Sequence, residues 1–443
     1  MLDLIGAFGG LAWTLLAFVV ALSVIVAIHE YGHYIVGRWS GIHAEVFSIG
    51  FGPVLFSRTD RRGTRWQVAA LPLGGYVKFL GDANAASVGA DHEAMAGIGA
   101  DRRRHTMTGA PLWARAATVA AGPVFNFVLS ILIFAFVVGV SGRPADPLAV
   151  DSLRETGAGA EVGVLAGDVP LEVAGVPLPD EDLGAWAEDL PAERVLDWTV
   201  LRDGASRTVP GPHPFPPLVS GVQPRSAADD AGLRPGDVIL SIDGTAIAAF
   251  HQLRSAVEAA EGAPLSLEIL RGGERVATTL APRRMDVPMP EGGFESRWLI
   301  GVTGGPAFEP ATVPVGPLEA LGQGVSQLWY VIRSSLEGLW SIVTGAISSC
   351  NISGPIGIAE TASSMASQGG ESFVWFLAVL SAAVGLLNLF PIPILDGGTL
   401  VFHAYEAVTG RKPTDRALNA LMVAGLSLIG ALMLFAIFND LFC

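Results

Sequence analysis

Cysteine is nearly absent from the chain: Cys350 and Cys443 are the only two in 443 residues. That excludes a disulfide-stapled scaffold and any Cys-based zinc finger, and leaves one bond as the most the chain can form. Charge is scarce too, at 16% of residues, and basic residues are the scarcer sign. With 27 Lys and Arg against 42 Asp and Glu the net charge is −15, which argues against a nucleic-acid partner, since phosphate binding needs clustered cations. The opening Met-Leu-Asp-Leu-Ile-Gly has no basic segment, and no Ala-x-Ala site follows the first apolar run. That run is therefore expected to stay as a membrane helix, not to be cleaved as a signal. What the chain does have is apolar residue, 51% of the total with a mean hydropathy of +0.48, as in a membrane protein carrying soluble inserts. Its length allows three or four units of domain size.

Four stretches are apolar enough to be read as membrane spans of about 20 residues: Leu11 to Val36, Ala116 to Val140, Phe373 to Pro391 and Leu418 to Phe438. Between the first two lie Arg58, Arg61, Arg62, Arg65, Lys78, Arg102, Arg103, Arg104 and Arg115; between the last two lie Arg411, Lys412 and Arg416. By the positive-inside rule both loops are expected on the cytoplasmic side. The acidic insert from Ser141 to about Val325 and both termini then fall on the far side, which in a bacterium is the periplasm. Residues 325–348 carry apolar residues at helical spacing, expected as an amphipathic helix at the membrane surface or, alternatively, packed against the insert.

Within the insert a pattern recurs every 69 residues: Gly167-Asp168-Val169 as Gly236-Asp237-Val238, Ala174-Gly175 as Asp243-Gly244, and Leu201-Arg202-Asp203-Gly204 as Leu270-Arg271-Gly272-Gly273. The second copy, Pro224 to Ile239 followed by Ile242-Asp243-Gly244, resembles a PDZ domain of the bacterial protease type, in which a peptide adds as a strand beside a helix, here near Phe250 to Ala259. The first copy is degenerate over Arg154 to Val164. The expected modules are 148–216 and 217–284, between an N-terminal membrane part at 1–140 and a C-terminal one at 371–443.

The chemistry is concentrated in His29-Glu30-Tyr31-Gly32-His33. An i, i+4 pair puts both imidazoles on one helical face, where they can share a zinc ion, and the intervening Glu30 can serve as general base. Ionisable groups inside an apolar span are costly, so three of them together indicate function more than an interfacial helix end. A catalytic zinc commonly takes three protein ligands. Asp396 supplies a third: it follows the apolar run Asn388 to Leu395, where Pro391 and Pro393 prevent a regular helix, although a helix cap or turn before Gly397-Gly398 would also explain it. His43 and His403 have ordinary surroundings and are left outside the ligand set.

H-E-x-x-H in the first span, N-x-x-P-x-x-x-x-D-G in a later one and two repeats between them resemble the site-2 protease family of M50-type intramembrane zinc metalloproteases, in particular its bacterial sigma-E-regulating type. The resemblance covers nearly the whole chain. It implies a multi-pass α-helical membrane protein with four transmembrane helices, a membrane-associated β-hairpin and two inserted periplasmic PDZ domains of α+β type, in a bacterial inner membrane, with the active site toward the cytoplasmic side. It implies that His29, His33 and Asp396 bind Zn2+, that Glu30 is the catalytic base, and that Asn388 contacts substrate or stabilises the oxyanion. The implied partners are the lipid bilayer, peptide C-termini at the PDZ modules and a transmembrane substrate helix, from an anti-sigma factor already trimmed by another protease or from a signal-peptide remnant. Phe47 to Pro53 and Trp66 to Phe79 resemble the family's hairpin, which would hold a substrate extended; a plain amphipathic hairpin has the same pattern. Gly122 to Phe127 also matches a family pattern, with Asn126 able to orient substrate or a neighbouring helix. Thr399 departs from the family, where His often follows Asp-Gly-Gly. A non-catalytic PDZ membrane adaptor is the alternative from another class, and would bind no zinc.

Overall fold

The computed structural model describes residues 2–82, 99–157, 162–179, 182–289 and 293–442, with side chains in the first helix from residue 12 onward. The chain starts with α1 (Leu2–Trp39), the strands β1 (Ala44–Thr59) and β2 (Arg65–Phe79), and α2 (Leu112–Ser141). Then follow β3 (Arg143–Pro144), β4 (Val150–Leu153), β5 (Val169–Val173), β6 (Val176–Pro177), α3 (Leu183–Glu188), β7 (Val195–Arg202), β8 (Ala205–Pro212) and β9 (Val219–Val222). Next come β10 (Val238–Ile242), β11 (Thr245–Ala246), α4 (Phe250–Ala259), β12 (Leu265–Arg271), β13 (Glu274–Leu280), β14 (Arg283–Pro288), β15 (Phe294–Leu299), β16 (Val302–Gly304), β17 (Phe308–Pro310) and β18 (Thr312–Val313). The last third is helical: α5 (Pro317–Val343), α6 (Pro355–Gln368), α7 (Gly370–Asn388), α8 (Asp396–Thr409) and α9 (Asp415–Phe442).

These elements divide into two compact units. The first comprises Met1–Val137, Pro317–Trp340 and Ser349–Cys443; the second comprises Val138–Gly316 and Ser341–Ser348. In the first unit, helix segments at Ala12–Trp39, Leu112–Ser141, Gly370–Asn388 and Arg416–Phe442 are long and apolar enough to cross a membrane. Helical backbone pairs the interior donors and acceptors of each segment with one another, as a lipid surround demands. The third ends at Asn388, three residues before the expected Pro391, because Pro391 and Pro393 forbid its continuation. Helix α5 begins and ends earlier than the expected 325–348, and its Leu328 and Val331 pack with Phe134 of α2 and with Ala378 and Ala382 of α7. Between α5 and α7 stands α6, absent from the sequence expectation. The Asp440 carboxylate of α9 accepts from the Gly354, Ile356 and Gly357 amides at its N-terminus, a favourable anion position on a helix dipole.

The β1–β2 hairpin folds back on itself: Val46 to Ile49 have partners both in Arg65 to Val68 and in Gly75 to Lys78. Its root is fixed to α1 by Tyr34, Phe47 and Trp66, with ring centroids 4.4–5.8 Å apart. Phe51, Leu55 and Phe56, farther along β1, are exposed.

The second unit holds two four-stranded sheets of like topology, β6-β5-β7-β8 and β11-β10-β12-β13. In each, the outer hairpin turns through two residues of positive φ, Asp203-Gly204 and Gly272-Gly273, as a two-residue turn matched to strand twist requires. An ion pair recurs at the same spacing. Arg202 Nε donates to Asp168 Oδ1 and Nη2 to Oδ2, each at 2.7 Å, and Arg271 does the same to Asp237 at 2.7 Å. The side chains of both aspartates are 1% exposed. The second core is built on Ile239, Leu253, Leu267 and Ile269. The first, around Trp198, is completed by Phe308 of β17, which pairs with β4 after the chain has passed through the whole second sheet. Strands β9 and β16 pair as well, so structured elements extend past residue 284.

Candidate metal centre

Helix α1 carries His29 and His33 one turn apart, and their Nε2 atoms stand 3.1 Å from each other. Asp396, the first residue of α8, brings Oδ2 to 3.2 Å from His29 Nε2 and 3.5 Å from His33 Nε2. Donors about 2.0–2.1 Å from one tetrahedral zinc lie roughly 3.3 Å apart, so three edges of 3.1, 3.2 and 3.5 Å outline one face of such a site. Asp396 Oδ2 is buried and has no aligned hydrogen-bond donor, which is costly unless a cation completes it. Among the described residues this is the one cluster of three His, Cys, Asp or Glu groups so arranged.

Glycines make the convergence possible. A Cβ on Gly122 of α2 would fall 2.3 Å from His33 Nε2 and 2.8 Å from His29 Cε1, so only a residue without a side chain fits there. Gly397 and Gly398, at the start of α8, lie against the carbonyls of Leu389, Phe390 and Ile392, letting the helix start inside that turn. Ile394 adopts φ 96° just before Asp396, a strained conformation for a β-branched residue.

Glu30 sits in the next position on α1, close enough to His29, His33 and Asp396 for their charges to act on it, with Val77 of β2 nearby. Gly75 brings β2 in: a Cβ there would stand 3.2 Å from Glu30 Cγ and 2.8 Å from the Ser48 carbonyl. Behind the histidines, His33 Nδ1 lies 2.8 Å from the Thr118 carbonyl and His29 Nδ1 3.2 Å from the Asn126 amide, both on α2. Asn388 ends α7, its Nδ2 donating to the Val384 carbonyl, and is not part of the three-residue cluster. His43 and His403 are likewise outside it.

Sequence reasoning missed the tie between α2 and α8. Arg115 donates twice to Glu406, at 2.9 and 2.7 Å, with both side chains largely buried. The signal was available, since a charge near the end of an apolar span needs a partner. Together with Thr399 and His403 they line a cavity of about 230 Å³.

The sequence pattern that defines peptidase family M50 matches residues 17–432. The chain belongs to the M50, or site-2 protease, family. It is 37% identical over 432 residues, 97% of both chains, to a protein of Rhizobium meliloti (strain 1021) named "Putative zinc metalloprotease". A protein of the same descriptive name from Agrobacterium fabrum is 35% identical over 442 residues, 100% of this chain and 99% of that one. The regulator of sigma-E protease of Salmonella typhimurium is 32% identical over 468 aligned positions, 97% of this chain and 98% of that one. This M50 chain is accordingly a membrane zinc metalloprotease.

Proposed function

We propose that this M50 protease cleaves the membrane-spanning segments of single-pass proteins, with His29, His33 and Asp396 holding zinc and Glu30 as general base. The observation that carries the reading is the triangle of donor atoms with edges of 3.1–3.5 Å. Zinc, when bound, supplies Lewis acidity to a water and to a carbonyl oxygen. Glu30 takes a proton from the attacking water and returns it to the leaving amide nitrogen. Asn388 retains a second amide hydrogen beyond its bond to Val384, which it offers to the carbonyl oxygen as charge develops. The β2 segment from Gly75 to Val77 runs beside Glu30 and offers backbone groups that hold an unwound substrate extended. Replacing Glu30 by Gln keeps zinc bound and lowers cleavage by about 10²–10⁴, the usual weight of a general base; a fully active Glu30→Gln variant overturns the assignment.

The basic loops face the cytoplasm and the acidic insert faces the periplasm. The two sheets of the insert act as PDZ modules, taking peptide C-termini and screening out substrates with bulky extracytoplasmic domains. The substrate class is then pre-trimmed anti-sigma factors, as the sigma-E-regulating relative suggests. Signal-peptide remnants are a second class with the same geometry, and identifying the membrane peptides that accumulate in the Glu30→Gln strain separates them. The screening role is tested by excising residues 145–311 while leaving the β3–β18 pair intact. Unchanged rejection of untrimmed substrates refutes it. A non-catalytic adaptor is disfavoured, because it has no use for three ionisable groups converging on one point, largely shielded from solvent.

A further inference from the structure

Zinc takes the lone pair of a histidine nitrogen, so the ligating nitrogen must carry no proton and the other must carry it. For His33 the arrangement is complete: Nδ1 faces the Thr118 carbonyl at 2.8 Å, which can only accept, so Nδ1 holds the proton and Nε2 is free for the metal. His29 differs. Its Nδ1 faces the side chain of Asn126 at 3.2 Å, and that side chain is fully buried. With Asn126 Nδ2 donating, Nδ1 of a neutral imidazole must accept and Nε2 carries the proton, aimed at the very atoms of the metal triangle. In that orientation Asn126 Oδ1 is buried with no partner. A half-turn of the amide places Oδ1 opposite Nδ1, where it accepts from Nδ1–H and frees Nε2.

We infer that Asn126 is a positioning residue of the metal centre: its carboxamide oxygen accepts from His29 Nδ1 and fixes the tautomer that can ligate zinc. Asn126 and Thr118 are two turns apart on α2, with Gly122 between them. One helix thus orients both imidazoles from behind, and its central glycine leaves space for their rings. The Asn126 backbone carbonyl separately accepts from Ser381 Oγ of α7 at 2.9 Å, a bond that substitution of the side chain leaves in place.

The inference rests on the zinc reading above. It is tested on the full-length protein in detergent, by competing bound zinc against a chelator. Asn126→Leu, which cannot accept, is expected to weaken zinc 10–100-fold, the usual loss for a partner behind a metal ligand. Asn126→Asp, which can only accept, is expected to hold zinc within about threefold of the parent, far inside that loss. Unchanged zinc affinity in Asn126→Leu, or a loss in Asn126→Asp as large as in Asn126→Leu, overturns the inference; a purely structural role would lower the melting temperature of both variants without separating their zinc affinities. Asn126→Asp carries the test where Asn126→Leu fails to fold. His29→Ala controls for the underlying reading: if zinc survives that change, the ligand assignment itself is wrong, whatever Asn126 does.

Discussion

Both units bury charged side chains, and the aspartates of the insert contrast with Asp396 of the helical unit. In the insert, Asp168 and Asp237 each receive two bonds from an arginine and one from a backbone amide, and the Arg202 guanidinium holds the Asp168 carboxyl well below the usual carboxylate range. Both carboxylates are answered from within the protein, which marks a structural clip. In the helical unit, Asp396 Oδ2, Asn126 Oδ1, Ser130 Oγ, His403 Nδ1 and Gln67 Oε1 are buried and unanswered, while in the insert the unanswered buried atoms among the described residues are the ring nitrogens Trp186 Nε1 and His213 Nε2, with no carboxylate among them. Four of these five lie on α2 or α8, the helices that carry Gly122 and Asp396 to the metal centre. The answered carboxylates of Asp168 and Asp237 build the fold, whereas the unanswered carboxylate oxygen of Asp396 marks where a cation is wanted.

Substitutions can break that contrast from either side. The largest effect is expected from Gly122→Val, whose side chain would occupy the position of the imidazoles: zinc content falls to background and cleavage with it, by metal analysis and peptide assay. Arg115→Leu should follow, destabilising the helical unit by about 3–5 kcal/mol because Glu406 is left buried and unpaired. The double change with Glu406→Leu should recover most of it, read from melting curves. Asp237→Ala is expected to cost roughly 2–3 kcal/mol in the insert while zinc affinity stays unchanged, by limited proteolysis and chelator competition. The smallest effect is on pH. Burial pushes the His213 imidazole down to about 4, with His251 nearby adding to it. Its neutral form is therefore favoured in the fold, full stability holds above about pH 6.5, and it is lost as pH falls toward 4. Opening of the insert should rise at most about tenfold per pH unit in that window, and His213→Phe should flatten the profile.

Much of this was legible in the sequence. The four apolar runs fall within a few residues of the helices found, because length and hydropathy decide a span. The meeting of His29, His33 and Asp396 could be expected because a buried charge needs a partner. The i, i+4 spacing fixes two of the three positions outright. Helix α6 was not legible: residues 355–368 are mixed in polarity, and their order comes from packing against α1 and from Asp440, which lies more than 80 residues away. Arg115 at the end of an apolar span signals that it needs a partner, but nothing local identifies Glu406, 291 residues away, as that partner. The boundaries of the two modules were blurred because the 69-residue pattern marks turns and the Asp–Arg clip, while β17, whose Phe308 completes the first core, lies outside the pattern.

That returning strand has a consequence for biosynthesis. Phe308 and β17 leave the ribosome roughly a hundred residues after Arg202, so the earlier sheet has a hole in its core until the later one has been made. At typical elongation rates of about 5–20 residues per second, the delay lasts seconds, ample time for the nested domain to form first. The chain is thereby written like a parenthesis: the inner clause must be finished before the outer one can close.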